Sequence, residues 1–163
     1  MVKETNRGKK FVEGIKSKEK LIIIHHKDAD GSYSAAIAAI ALKRLGVKIS
    51  KIVAGTTEKA DKIIEAVKGY DRVILVDIAI DFLFEELGRE NRKILFIDHH
   101  PPVKDINSEN IIYMNPRLER ENVYQPASYV VYKFFSKLTD MSDKEWLAVV
   151  GTIGDYGYED CRD

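Results

Sequence analysis

The stretch IIIHHKDADGSYSA, Ile22 to Ala35, ends an apolar run in two histidines, two aspartates one residue apart and a glycine. Asp77 follows the apolar residues of RVILVDIA, Asp98, His99 and His100 close KILFIDHH, and Asp155 lies in GTIGDYG. Carboxylates gathered in one place repel one another and resist burial. A divalent cation removes that difficulty, and mixed carboxylate and imidazole donors suit Mn, Fe, Zn or Co better than Ca or Mg. Asp28 and Asp30, on either side of Ala29, can face one pocket and still reach different ions. Two ions roughly 3.5–4 Å apart, sharing a carboxylate, would clamp the attacking and leaving oxygens of a phosphoryl transfer. Asp155 would fold back to complete the shell of the second.

Elements must bring these groups together. LIIIHH (21–26), VKISKIVAG (47–55), RVILVDIA (72–79) and KILFIDHH (93–100) read as short strands rich in Ile and Val. SYSAAIAAIALKRLG (32–46) and TEKADKIIEAVKG (57–69) have helical apolar spacing and end in glycine, and DFLFEELGRE is a shorter helical pattern. The alternation predicts βαβ units and an α/β fold, doubly wound, with a mainly parallel sheet flanked by helices and strands buried on both faces. In such sheets ligands bind outside the carboxyl ends of the strands, where His26, Asp28, Asp30, Asp77 and the Asp98–His100 trio fall. Neither GxGxxG nor GxxxxGK[ST] occurs, so a dinucleotide or Walker-type phosphate cradle is unsupported. Further along, IIYMNP (111–116) reads as another short strand and PASYVVYKFFSKL (126–138) as a helix entered through proline. SDKEWLAVVGTIGDYG (142–157) is a helix pattern with a capping signal, Ser142 followed by Glu145.

Length allows one domain with a sizeable core, preceded by a charged extension or helix over residues 1–20. Lys plus Arg equals Asp plus Glu at 26 each, which excludes the argument for nucleic-acid binding from a strongly basic domain. The single Cys161, the absence of a long apolar run and the polar start MVKETNRGKK point to a cytoplasmic setting.

HKDADG, the acid of VDIA, DHH and GTIGD, in this order and spacing, resemble the four motifs of the DHH phosphoesterases, RecJ-like members above all. One motif alone would be weak, but four in register cover the chain from the first strand to Gly157. The resemblance implies that residues 21–163 form a catalytic DHH domain. Two divalent ions are implied, manganese favoured over magnesium or cobalt. His26 and Asp28 would hold one ion and Asp30, His99 and Asp155 the other, with Asp77 between them. Asp98 would orient its neighbours, and His100 would face the phosphate as donor or general acid. Family nucleases and phosphatases usually carry a second domain with a GGGH-like motif that grips the substrate. This sequence stops at Asp163, just after the fourth motif, and is expected to be the catalytic half of a longer protein.

Simpler readings apply elsewhere. Asp30 could cap the helix that follows it, and His25, neighbouring His26, is expected on the opposite face of its strand, packed or hydrogen-bonded. Arg117 is a candidate phosphate contact, although with Arg120 it also reads as a solvated loop. Most of Tyr129, Tyr132, Phe134 and Phe135 read as core, Trp146 likewise, and Lys9, Lys10, Lys16, Lys18 and Lys20 as a solvated face. The expected activity is hydrolysis of phosphodiesters in single-stranded nucleic acid or short oligonucleotides, as an exonuclease. A small-molecule phosphatase or pyrophosphatase is the alternative, and a non-catalytic replication or repair partner is a third reading.

Overall fold

The computed structural model describes residues 1–161. Five parallel strands stand in the order β2-β1-β3-β4-β5: β1 (Leu21–His26), β2 (Lys51–Gly55), β3 (Arg72–Val76), β4 (Lys93–Ile97) and β5 (Ile111–Met114). The order reverses between β1 and β3, which makes the space outside their carboxyl ends the switch point where such folds bind ligands. β1, β3, β4 and β5 are buried on both faces, as their Ile- and Val-rich runs require. β2 is an edge strand and half exposed, which explains why its lysine-bearing run VKISKIV forms a strand only over 51–55.

Helices cover both faces. α2 (Ala29–Arg44), α5 (Ala127–Phe135) and α6 (Glu145–Gly154) pack on one, with Phe11 and Val12 of α1 (Val2–Glu13) joining the same core. α3 (Ala60–Ala66) and α4 (Phe84–Leu87) cover the other, with Ile106 from the loop after β4. α2 buries alanines on β1, so helix and strand lie close enough to bring the two ends of HHKDADG together. Gly46 and Gly69 adopt positive φ just past the helical segments they close, the conformation that favours glycine there.

Two expectations about the last helix fail. Trp146 is 55% exposed instead of buried. The side of α6 that faces inward carries Leu147, Ala148, Gly151 and Thr152, small residues for the most part, which allow a close approach to α2 and α5. Trp146 therefore falls on the outer side, where its ring meets Tyr33 edge-on at 6.3 Å. The capping box is not formed either. Residues 142–144 make a 3-10 turn without a side-chain cap, the Ser142 amide donates to Asp140, and α6 begins at Glu145.

Candidate metal centre

The expected site residues meet at the carboxyl pole of the sheet. β1 ends at His26, and Asp28 caps α2, its Oδ1 accepting the Gly31 amide at 2.9 Å. The helix-capping role open to Asp30 thus belongs to Asp28, whose other oxygen lies 2.5 Å from His26 Nδ1. Gly31 is required by proximity. A Cβ there would lie 2.3 Å from the His26 carbonyl oxygen, so only glycine lets the first turn of α2 close on the strand end.

Asp30, 1% exposed, points inward and accepts the Ala127 and Ser128 amides at 2.6 and 2.9 Å, at the start of α5. Orphan amides and the helix dipole both favour an anion there. Gly151, in GTIGD, serves this contact, since a Cβ would stand 2.4 Å from Ser128 Oγ and 3.2 Å from Asp30 Oδ1. Gly151→Ala is expected to cost roughly 1–3 kcal/mol of stability through overpacking, measurable by urea denaturation.

Asp77 follows β3 with φ +56°, in the left-handed region that aspartate tolerates better than most residues. Such backbone strain concentrates at functional sites. Its amide donates to the Ile97 carbonyl at 3.0 Å, while its buried Oδ2 has no hydrogen-bond partner. His99 Nε2 lies 3.2 Å from Asp77 Oδ1, 3.5 Å from Asp155 Oδ2 and 3.9 Å from Asp30 Oδ2. Asp98 Oδ1 is 2.8 Å from His100 Nδ1. His25 turns away and bonds through Nδ1 to the His26 carbonyl.

Burial, followed by repulsion from Asp30, Asp28 and Asp98, pushes the Asp77 carboxyl up to about 11. Burial also raises Asp30, against the opposing pull of the Ser128 hydrogen bonds. Burial opposes the charge on Asp28, but the Gly31 amide, His26 and Asp77 outweigh it and hold its pKa down. His99 is lowered by burial, whereas His100 is raised by its bond to Asp98. Among the described residues, the ionic partners of these carboxylates are imidazoles alone, with no lysine or arginine beside them.

Among the described residues, three groups bring one donor atom from each member within 4.8 Å of one another: His26–Asp28–Asp77, Asp30–His99–Asp155 and Asp77–His99–His100. A divalent cation fits this set. It would give the bare Asp77 oxygen a partner and supply the positive charge that neighbouring side chains do not. Four carboxylates and three imidazoles make a mixed oxygen and nitrogen donor set of the kind divalent transition metals accept.

Residues 20–152 match the family model described as DHH family, N-terminal domain. The chain belongs to the DHH family. The uncharacterized protein MJ0831 of Methanocaldococcus jannaschii is 32% identical, the match covering 83% of this chain and 33% of that protein. The chain thus spans about a third of the curated relative's length. RecJ of Thermus thermophilus, solved in complex with Mn2+, superposes with a TM-score of 0.70 at 21% identity, over 94% of this chain and 24% of RecJ. CDC45 of Entamoeba histolytica gives 0.69 at 19% identity, over 94% and 33%. At these identities the likeness is one of fold.

Two residues near this DHH centre, Tyr124 and Asn115, carried little or no sequence signal. Tyr124 donates its hydroxyl to Asp155 Oδ2 at 2.6 Å. Asn115, fully buried, donates to the His100 carbonyl and caps the turn at Arg117. The Asn-Pro pair is a turn signal that could have flagged it. Arg117 is held inward, with Nε donating to the His99 carbonyl at 2.9 Å. Among the described residues no helix is long and apolar enough to cross a membrane.

Proposed function

We propose that this chain is the catalytic part of a manganese-dependent, cytoplasmic DHH phosphoesterase. Its substrates are phosphodiesters of single-stranded nucleic acid or short oligonucleotides, cut as an exonuclease cuts them. The observation that carries the reading is the pair of donor groups His26–Asp28–Asp77 and Asp30–His99–Asp155, with Asp77 and His99 only 3.2 Å apart. Each group would hold one cation, Asp77 lying where both can use it. Cations held there would lower the pKa of water they bind and offset charge building on the phosphate.

The protein's own groups do the rest. Asp98 fixes the ring of His100 through Nδ1, directing its other nitrogen outward as a donor to substrate. Lys27, Lys59 and Lys62 line a cleft beside the end of β2, whose last residue Gly55 pairs with His26. They and Arg117 supply positive charge where a polyanion would approach. A further domain that grips the substrate, elsewhere in the full-length protein, completes the reading, because positioning supplies much of the rate.

A small phosphate compound is the second reading, favoured by the zero net charge of the chain. The test is hydrolysis of an end-labelled single-stranded oligonucleotide with Mn2+, following product length over time. Stepwise loss of mononucleotides, abolished by chelator, is expected. An intact oligonucleotide alongside Mn2+-dependent release of phosphate from a nucleotide or pyrophosphate would overturn the polymer assignment in favour of the second reading.

A further inference from the structure

Tyr124, in the loop between β5 and α5, touches Asp155 and His99 of the Asp30–His99–Asp155 group and no member of the His26–Asp28–Asp77 group. Its hydroxyl donates to Asp155 Oδ2, the oxygen that also lies 3.5 Å from His99 Nε2. Its ring meets the His99 ring edge-on, with centroids 5.4 Å apart. Arg117 closes the arrangement from the far side. Its guanidinium lies over the Tyr124 ring at 5.6 Å while its Nε holds the His99 carbonyl. The loop is tied down as well, since the Tyr124 amide donates to Asp160 Oδ2 at 2.7 Å and Gln125 Nε2 donates to the Asp160 carbonyl at 3.0 Å. None of these contacts involves His26, Asp28 or Asp77.

We propose that Tyr124 is a positioning residue for one of the two ion sites, acting on Asp155 and His99 and leaving the His26–Asp28–Asp77 site untouched. The inference rests on the two-ion reading above. Its physical basis is the unequal support that the two donor groups receive. Asp28 is held as a helix cap and Asp30 by two backbone amides, so both are oriented by main-chain groups. Asp155 lies just past the last turn of α6, partly exposed, and the Tyr124 hydroxyl is what orients its carboxylate. A carboxylate fixed in one rotamer loses less freedom when it takes up a cation. Removing such a hydrogen-bonded partner of a ligand typically weakens a metal site roughly 10- to 100-fold.

The test is calorimetric titration of the chelator-stripped full chain with Mn2+ alone, comparing wild type, Tyr124→Phe and Asp155→Ala. Tyr124→Phe keeps the ring against His99 and removes only the hydroxyl. Wild type is expected to bind two ions, and Asp155→Ala identifies which binding step belongs to the Asp30–His99–Asp155 group. Tyr124→Phe should weaken that step by roughly 10- to 100-fold and leave the other unchanged. Arg117→Gln, which releases the ring and the His99 carbonyl, should weaken the same step. Two unchanged steps would overturn the assignment, and so would equal weakening of both, the signature of a loosened fold. Wild type that binds fewer than two ions would overturn the two-ion reading itself, and the Tyr124 role with it.

Discussion

Asp77→Asn is expected to move activity and stability in opposite directions. Asparagine has nearly the same shape and tolerates the left-handed backbone at this position, where φ is +56°. Folding should therefore survive. Turnover should not: Asp77 belongs to two of the three donor groups, and losing a shared ligand should cost more than the roughly 10- to 100-fold typical of a ligand's supporting partner. Metal-free protein should nevertheless become more stable near neutral pH. The wild-type carboxyl is 1% exposed among Asp30, Asp28 and Asp98, and can stay buried only by keeping a proton that water would take. An amide has no such requirement. Turnover with Mn2+ and the thermal midpoint in chelator, measured on the same two proteins, check both halves. A variant as active as wild type would discredit the site.

A second large effect follows from the same carboxyl. In the folded, metal-free protein it titrates at about 11, whereas its ordinary value is 3.8. Between those values the folded state binds more protons than the unfolded chain, so stability falls as pH rises. One such group gives a slope of at most about 1.4 kcal/mol per pH unit. Asp30, also raised, adds to the decline. His99 works the other way below neutrality, because burial favours its neutral ring, and that gain is complete once the unfolded chain's histidines have lost their protons. His100, raised by Asp98, loses its contribution as pH climbs through its folded value. The decline should accordingly be cleanest from about pH 7 to 9. Denaturant melts in chelator should show stability dropping across this range, and Asp77→Asn should make the drop shallower. Saturating Mn2+ should reverse the trend, because a cation competes with protons for the same oxygens. A metal-free protein whose stability is flat over this range would contradict the burial of an uncompensated carboxyl.

Much of this arrangement is legible in the chain. Runs such as LIIIHH and RVILV, alternating with helical patterns, read as interior parallel strands, and the polar residues closing them then gather at one pole of the sheet. The glycines of HKDADG and GTIGD find their reason only in the structure, where Gly31 and Gly151 stand where a Cβ would strike His26 and Ser128. Patterning says less where packing decides. Trp146 has helical spacing with its neighbours, but α6 turns its small residues inward and leaves the indole outside. Ser142 and Glu145 have the spacing of a capping box, yet the chain enters α6 through a 3-10 turn. Edge position shortened β2. Tyr124 is the clearest illegible case, because its contact with Asp155 joins residues 31 positions apart through a loop with no periodicity to read.

If two cations share the Asp77 carboxylate, their unpaired electrons must couple, and electron paramagnetic resonance of the Mn2+-loaded protein reads that coupling. At two ions per chain, a spin-coupled signal is expected, reverting to that of isolated ions in Asp77→Asn. An isolated-ion signal from wild type at the same loading, or no bound manganese at all, would contradict a shared two-ion centre.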